Sequence, residues 1–245
     1  MKKTLTLTAT SLAAVVGLSL VAIPAYAEEA VKDGGITTSK GDITFEKNKG
    51  TTKPKDPDTG KPVIPVDPDP VVPTNGPLSI DYISNVHFGT QKISGSTEVY
   101  YATLDQVKDA ESGAISERPN MVQITDDRGT NAGWKLTVKQ EAQFKNGSSE
   151  LDGAVLKFEN PTLKSSNKSA TNTPTAKAMT LSPAGAASDV MIANANQGMG
   201  TWFDQFGADQ DSGKQSISLT VPGDTAKVEG KYETTLTWTL TDSAV

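Results

Sequence analysis

Two stretches decide the fold: Trp134-Lys135-Leu136-Thr137-Val138, and Tyr232-Glu233-Thr234-Thr235-Leu236-Thr237-Trp238-Thr239-Leu240. In each, apolar and polar side chains alternate, which is the period of a β-strand with one face packed against a core. One face of the second stretch carries Tyr232, Thr234, Leu236, Trp238 and Leu240. The other face carries Lys231, Glu233, Thr235, Thr237, Thr239 and Thr241. Both stretches are therefore predicted to be strands.

The chain from residue 78 onward repeats this short-strand pattern. Residues 122–124 and 217–221 also alternate, and turns rich in Gly, Asn, Asp and Pro separate such segments. This spacing predicts an all-β domain over residues 78–245, either a β-sandwich or a barrel-like fold. One short helix is predicted near residues 104–110, and the polar stretch 164–172 is predicted to be a long surface loop.

The composition excludes several kinds of site. The chain has 245 residues with no Cys, so disulfides, Cys-ligated zinc, iron–sulfur clusters and a thiol nucleophile are ruled out. Its single His, His87, has no nucleophile elbow beside it, so catalysis by His87 is not expected. His87 is predicted to be either a surface residue or a half-buried one whose hydrogen bonds are satisfied. The formal charge of −6 argues against a nucleic-acid partner. No metal site and no cofactor are predicted.

The first 27 residues have the pattern of an export signal. Lys2 and Lys3 precede an apolar run, and Ala25-Tyr26-Ala27 is a small-x-small cleavage site. These features predict a secretory signal peptide over residues 1–27. The apolar run is shorter than the roughly 20 residues that cross a bilayer. Removing the peptide changes the formal charge from −6 to −8.

Two further segments precede the predicted β domain. Residues 28–50 are polar, with one strand-like piece at residues 42–45. Residues 51–77 contain eight of the 14 prolines and repeat the tripeptide Asp-Pro-Asp. Such composition favours polyproline II, so this segment is predicted to be a disordered, Pro/Asp-rich linker that serves as an extended spacer. A docking ligand for a Pro-binding module is the alternative.

The two Trp-x-Leu motifs, with the second at the C-terminal end, resemble those of WxL-domain surface proteins of low-GC Gram-positive bacteria. The opening Gly76-Pro77-Leu78-Ser79-Ile80-Asp81-Tyr82 after a Pro/Asp-rich linker is similar to the family's domain start. Asp126-Asp127-Arg128-Gly129 before the first Trp is also similar to the family's pattern. One departure is Ala244, where the longer C-terminal pattern usually has Pro. The layout resembles that of a small, single-domain member.

The resemblance implies a function and a location. It implies a secreted protein of the cell surface and cell wall, attached non-covalently to peptidoglycan through its WxL domain. It also implies partners, namely other WxL proteins and a membrane-anchored WxL-interacting protein, and it leaves room for host or matrix components. The C-terminus shows no signal for covalent wall attachment, which agrees with non-covalent retention. An enzyme is not expected.

The aromatic residues have two interpretations. The motif residues Trp134, Leu136, Tyr232, Leu236, Trp238 and Leu240 lie on apolar faces, so they are predicted to fill the core. The alternative is that an indole forms an aromatic platform for a sugar ring. Trp202 lies among glycines in a loop-like setting and is predicted to be the most exposed of the three tryptophans. Asp204, Gln205 and Asp209 are predicted to hydrogen-bond sugar hydroxyls or peptide amides there.

Thr237 and Thr239 are further candidate contacts, because they lie on the polar face of the last strand. The simpler interpretation is an ordinary solvent-facing strand. An edge strand of this kind also pairs with a partner's strand, with Lys231 and Glu233 as flanking charges. Asp126 and Asp127 are predicted to cap a turn with Gly129 at positive φ, in preference to binding calcium.

Two other functions stay open at this stage. One is an adhesin subunit held on the surface only through a protein partner. The other is a secreted glycan-cleaving enzyme, which needs two carboxylates about 5–10 Å apart. Acidic residues are plentiful, but no motif nominates such a pair.

Overall fold

The structure is a computed structural model that describes residues 35, 37–48, 50–166, 169 and 171–242. The predicted signal peptide lies outside these residues. The chain divides into a first unit of residues 1–44 and a second, larger unit of residues 45–245. The described residues of the first unit form no helix or strand. The strand predicted at residues 42–45 is therefore wrong, and Ile43 and Phe45 are both more than three-quarters exposed.

The regular secondary structure of the second unit consists almost wholly of short strands. In chain order they are β1 (Val63–Pro65), β2 (Leu78–Ile83), β3 (Glu98–Tyr101), β4 (Asp105–Asp109), β5 (Ile115–Arg118), β6 (Met121–Asp126), β7 (Trp134–Gln140), β8 (Lys145–Asn146), β9 (Ser149–Glu150), β10 (Val155–Phe158), β11 (Pro161–Lys164), β12 (Thr175–Ala176), β13 (Met179–Thr180), β14 (Ser188–Ala193), β15 (Gly200–Phe206), β16 (Ile217–Val221) and β17 (Leu236–Thr241). One helical turn, α1 (Gln210–Gly213), lies between β15 and β16. The predicted all-β fold class is confirmed.

All strand pairs are antiparallel, and three four-stranded sheets carry most of them. Their strand orders are β13-β10-β16-β3, β11-β15-β6-β2 and β12-β14-β7-β17. A three-stranded sheet has the order β1-β4-β5, and β8 and β9 form a hairpin. Among the residues that the structure describes, no helix is long and apolar enough to cross a membrane.

The core lies where the inner faces of the three four-stranded sheets meet. Phe158 on β10 is 1% exposed and stands at this junction. Its ring packs edge-on against Phe206 on β15, with centroids 5.0 Å apart, and against Trp238 on β17, with centroids 6.3 Å apart. One aromatic side chain thus contacts residues of all three sheets, in the edge-to-face geometry that aromatic pairs favour.

The helix predicted near residues 104–110 is wrong, because this stretch forms β4. Asp105 and Val107 are buried while Gln106 and Lys108 are exposed, which is the period of two of a strand. The helix that does form, α1, begins at Asp209, whose carboxylate accepts a hydrogen bond from the backbone N–H of Ser212. The predicted loop at residues 164–172 follows β11, and its described residues from 165 onward contain no strand or helix.

The prediction that residues 51–77 form an extended spacer is also wrong, since this segment packs on the β domain. β1 pairs with β4, and Val63 is only 5% exposed. The backbone N–H of Lys55 donates to the side-chain oxygen of Gln123 (2.8 Å), whose amide group donates to the carbonyl of Lys53 (3.1 Å). Gln123 thereby holds the segment as a neighbouring strand would.

The repeated Asp-Pro-Asp tripeptides explain why the segment docks. In each copy the first carboxylate accepts a hydrogen bond from the backbone N–H two residues later, at 2.8 Å. Its other oxygen contacts a side chain of the domain: Asp56 forms an ion pair with Arg118 at 3.0 Å, and Asp67 is hydrogen-bonded to the imidazole of His87 at 2.8 Å. Pro is tolerated in β1 because β1 is an edge strand, and Val63 supplies the apolar contact that an extended spacer would lack.

We predict that Gln123→Leu releases residues 53–55. The substitution removes both backbone contacts, and one such bond is worth about 1 kcal/mol. The substitution also removes the hydrogen bond that the Gln123 amide donates to the buried carboxyl of Asp81 (2.8 Å), so a lower melting temperature is expected as well. Hydrogen exchange of the Lys55 amide is expected to accelerate about tenfold, measured by NMR or by mass spectrometry of the mature protein. Gln106→Leu, on the exposed side of β4, is the control. Unchanged exchange at Lys55 in Gln123→Leu would contradict the docked arrangement.

Candidate functional site

The two Trp-x-Leu motifs lie on neighbouring strands of the sheet β12-β14-β7-β17, here called the motif sheet. β7 carries the first motif and β17 carries the second. The antiparallel register places Leu136 directly opposite Leu240 and Val138 opposite Trp238. Two motifs about 100 residues apart in the sequence therefore form one continuous apolar surface on the inner side of this sheet.

Trp134 is fully buried, as predicted for a core residue. Its exposed fraction is 0%, and its indole N–H donates to the carbonyl of Gly198 at 3.0 Å. Gly198 has φ of +77°, and a Cβ there would lie 2.4 Å from the indole nitrogen. Only glycine therefore allows this loop to approach the ring closely enough to accept the bond.

Trp238 lies on the same inner face but is only partly buried, because β17 is an edge strand. It packs against the core together with Tyr232, Leu236 and Leu240. The Tyr232 hydroxyl accepts a hydrogen bond from the backbone N–H of Val228 at 2.9 Å, which fixes the turn before β17. These contacts agree with a packing role for the second motif.

Arg128 joins the two motif strands at one end. Its guanidinium forms a two-pronged ion pair with Asp126, at 2.9 and 2.8 Å. It also donates to the carbonyl of Gly133 (2.7 Å), just before β7, and to that of Asp242 (3.0 Å), just after β17. The hydrogen bonds that Arg128 donates to the Asp126 carboxylate raise the pKa of Arg128 above its usual value, so Arg128 stays charged.

The predicted turn around Asp126 is confirmed. The Asp126 carboxylate accepts a hydrogen bond from the backbone N–H of Arg128 at 3.1 Å, and Gly129 has φ of +70°. The first acidic residue of the Asp-Asp-Arg-Gly sequence therefore serves both the turn and the ion pair. The two carboxylate oxygens of Asp126 are occupied by protein donors.

The prediction that Trp202 is exposed is wrong. Its exposed fraction is 0%, and its indole N–H donates to the carbonyl of Met199 at 3.1 Å. The glycines before Trp202 belong to a loop whose neighbouring carbonyls, those of Gly198 and Met199, accept the indole N–H groups of Trp134 and Trp202. Trp202 itself lies in β15, a strand of the sheet β11-β15-β6-β2. This position leaves the indole no access to a ligand in solvent.

The other predicted contacts near Trp202 are buried or engaged as well. Asp204 is 0% exposed and Gln205 is 2% exposed, because both faces of β15 are covered. Asp209 serves as the cap of α1. The prediction that Asp204 and Gln205 meet sugar hydroxyls or peptide amides is therefore wrong, since their side chains are buried. Asp209 is exposed, and its ligand contact stays a prediction.

Asp204 is an unusual core residue. Neither of its carboxylate oxygens has a hydrogen bond of normal geometry among the described residues. Burial raises the pKa of Asp204 to about 8, and the backbone N–H of Thr162 only partly opposes the shift. The carboxyl group is therefore mainly protonated at neutral pH, which avoids an unpaired charge in the core.

Thr237 and Thr239 are exposed, as the polar strand face predicts. On the outer side of the motif sheet, Thr237 pairs with Lys139, Thr239 with Thr137, and Thr241 with Lys135. We call these six residues the Thr/Lys face. The face is flat, because all six side chains project from two adjacent strands in direct register. The outer edge of β17 has no strand neighbour among the described residues.

The charge balance of this face differs from that of the chain. Asp189 is shared between Lys135 (2.9 Å) and Lys177 (2.8 Å), and Glu141 pairs with Lys139 at 2.7 Å. Three ammonium groups thus face two carboxylates, on a chain whose formal charge is −6. The pKa of Asp189 is lowered by hydrogen bonds from Lys177 and Lys135, so its charge is fixed as well.

A groove of about 350 Å³ lies at a different place, beside the docked segment. Its lining residues are Val66, Asp67, Pro68, Asn85, His87, Thr103, Leu104, Asp105, Gln106 and Glu117, and we call it the polar groove. His87 has its side chain 59% exposed and is hydrogen-bonded to Asp67, so of the two predicted placements it is the surface residue. Among the described residues, no group of three or more His, Asp or Glu side chains is placed to hold a metal ion.

Sequence reasoning missed the polar groove, because it treated residues 51–77 as a spacer. The signal that was available is the Asp-Pro-Asp repeat. Each copy places a carboxylate beside its own turn, where a second oxygen is free to pair with the domain.

The chain was compared with known families, curated proteins and solved structures. A family model described as "WxL domain surface cell wall-binding" matches residues 32–243. No curated protein and no solved structure matches the chain. The matched range includes both Trp-x-Leu motifs and the docked segment.

The buried carboxyl of Asp204 leads to a pH prediction. Its folded pKa of about 8 lies above the ordinary value of 3.8, so the folded state binds the proton more tightly than the unfolded state. This contribution to stability is complete below about pH 4 and is lost as the pH rises toward 8, with a slope of up to about 1.4 kcal/mol per pH unit. Asp204→Asn has no such titration.

Urea unfolding of both proteins between pH 4.5 and 8.5 is the measurement. The unfolding free energy of Asp204→Asn minus that of the wild type is expected to increase steadily with pH. The constant cost of burying the amide does not affect this slope. Parallel pH profiles for the two proteins would show that Asp204 is not a buried, protonated acid.

Proposed function

The chain belongs to the WxL domain family of surface cell wall-binding proteins, and from this membership we propose that it is held non-covalently on peptidoglycan. The observation that carries the proposal is the match over residues 32–243, which makes the whole β domain a cell wall-binding module. Location at the cell wall and surface follows from the family. The export signal predicted over residues 1–27 supplies the route.

The Thr/Lys face is the surface that we propose for the wall contact. Its threonine hydroxyls both donate and accept hydrogen bonds, and its lysines supply ammonium groups. Peptidoglycan stem peptides carry carboxylates and amides, which match both kinds of group. The net negative charge of the chain disfavours approach to an anionic wall elsewhere, whereas the lysines of this face locally offset it.

Burial of the motif tryptophans supports a division of roles in the motif sheet. Trp134 and Leu136 on the inner side hold the sheet on the core, and Trp238 joins them from the edge strand. A rigid sheet keeps the outer side chains in register, so a polymer meets a preorganised row of donors and acceptors. The motif thus supports binding through the fold.

A surface assembly is the second function that we propose, supported by the free edge of β17. An exposed strand edge accepts a strand from another protein through backbone hydrogen bonds. Lys231 and Glu233 form an ion pair in the segment before β17, where they flank that edge. The proposed partners are other WxL proteins and a membrane-anchored WxL-interacting protein. An adhesin subunit retained through such a partner, with host or matrix components as targets, uses the same edge.

We propose a binding protein and not a glycan-cleaving enzyme. The buried carboxyl groups with raised pKa are the natural candidates for a general acid, and these are Asp81, Asp105 and Asp204. Asp81 is enclosed by Ser79, Gln123 and Thr125, and Asp105 accepts bonds from Tyr82 and Ser84. Asp81 and Asp105 are tied into internal hydrogen-bond networks, and Asp204 is fully buried, so a structural role is supported for all three.

We predict that Thr237→Glu/Thr239→Glu weakens binding to purified sacculi by at least tenfold. The change removes two hydroxyls and places two negative charges on the Thr/Lys face. The measurement is co-sedimentation of the mature protein with peptidoglycan sacculi at physiological salt. Val99→Glu/Thr180→Glu, on exposed positions of β3 and β13, adds the same charge elsewhere and is the matched control.

Three results bear on this proposal. Loss of binding in the Thr237/Thr239 variant alone supports the Thr/Lys face. Equal loss in both variants shows that bulk charge governs retention, which overturns the proposed surface. Wild-type protein that stays in the supernatant overturns direct wall binding and leaves attachment through a partner.

A further inference from the structure

We propose that the polar groove binds the uncharged glycan strand of the cell wall, through N-acetylhexosamine units. This inference rests on the proposed function for the source of the ligand, but it concerns a different surface. The Thr/Lys face lies on β7 and β17, whereas residues of the docked segment, the turn after β2 and the strands β4 and β5 form the groove.

The size of the groove suits a small part of a polymer. Its volume of about 350 Å³ lies at the lower end of the range of about 300–1,000 Å³ for ligand pockets. The groove is open to solvent, so part of a polymer can enter it. Val66, Pro68 and Leu104 supply apolar surface, which suits the C–H faces of a sugar ring.

The polar lining has the chemistry that sugar hydroxyls require. Asn85 and Gln106 carry amides, Asp67 and Glu117 carry carboxylates, and His87 carries an imidazole. Planar groups of this kind offer two polar atoms, so the exposed pair Gln106 and Glu117 can meet neighbouring hydroxyls, or the N–H and carbonyl of an acetamido group. Gln106 and Glu117 are exposed and hydrogen-bonded to each other at 3.2 Å, so both are accessible to a ligand.

One side of the groove is preorganised. Asp67 accepts hydrogen bonds from its own turn at Asp69 (2.8 Å) and from Asn85 (3.2 Å), and it pairs with His87 at 2.8 Å. Asn85 also donates to the carbonyl of Asp69 at 2.8 Å. Although burial opposes the shift, the hydrogen bonds from His87, the Asp69 backbone and Asn85 lower the pKa of Asp67, so it stays ionised. Fixed side chains lose little entropy when a ligand binds.

The charge of the lining selects among the components of a cell wall. None of the described lining residues is Lys or Arg, whereas Asp67 and Glu117 carry carboxylates at the surface of the groove. Phosphate and carboxylate groups are therefore repelled, which disfavours teichoic acid polymers and the acidic part of stem peptides. A neutral glycan meets no such penalty.

The experiment uses the mature full chain and chitotetraose, an oligomer of N-acetylglucosamine. In an NMR titration, the shifted amides are expected at residues 66, 67, 85–87 and 103–106. Gln106→Ala/Glu117→Ala removes two exposed side chains and is expected to weaken binding at least tenfold. Glu111→Ala, an exposed carboxylate outside the groove that pairs only with Lys61 at the surface, is the matched control.

The outcomes separate this inference from the proposed function. Sacculus binding without any chitotetraose shift overturns the glycan groove and leaves the function intact. Shifts confined to other surfaces, or shifts at the groove caused only by a synthetic stem peptide, also overturn it. Chitotetraose shifts at the groove that are lost in Gln106→Ala/Glu117→Ala support it, even where sacculus retention fails and the proposed function falls.

Discussion

The structure depends on one buried contact, the indole of Trp134 donating to the carbonyl of Gly198. The ring fills the inner side of the motif sheet, and the loop that accepts its bond also accepts that of Trp202. Two strands from different sheets, β7 and β15, are thereby tied to one loop. A buried N–H without a partner costs about 1–3 kcal/mol, so the loop and both rings must form together.

A second set of contacts joins the distant parts of the chain around this centre. Arg128 links the turn after β6 to the start of β7 and the end of β17. Phe158 brings the third sheet against Phe206 and Trp238. In this chain without cysteines, the charge-assisted hydrogen bonds of Arg128 and the aromatic contacts of Phe158 thus hold sequence-distant segments together. The side chains on the outer face of the motif sheet take no part in these packing contacts, so this face can carry a binding surface.

Much of the fold could be predicted, because alternation of apolar and polar residues in a strand shows directly which side chains are buried. The strict period of two in residues 134–138 and 236–240 placed Trp134 inside and Thr237 outside. The same signal fails for β15, where both faces are covered and Trp202 and Asp204 lie inside a run of buried residues. The glycines beside Trp202 predict an exposed loop. In the structure they instead let the backbone of this loop come close to the indole of Trp134. The groove depends on docking of a proline-rich segment, which composition alone does not reveal.

The central claim is that the motif tryptophans hold the fold and that binding belongs to exposed surfaces. Trp134→Phe tests it most directly, since it keeps an aromatic ring but removes the N–H donated to Gly198. Its melting temperature is expected to fall by about 5 °C or more, while sacculus binding well below that temperature stays at the wild-type level. An unchanged melting temperature together with lost sacculus binding would contradict the account and make Trp134 a ligand contact.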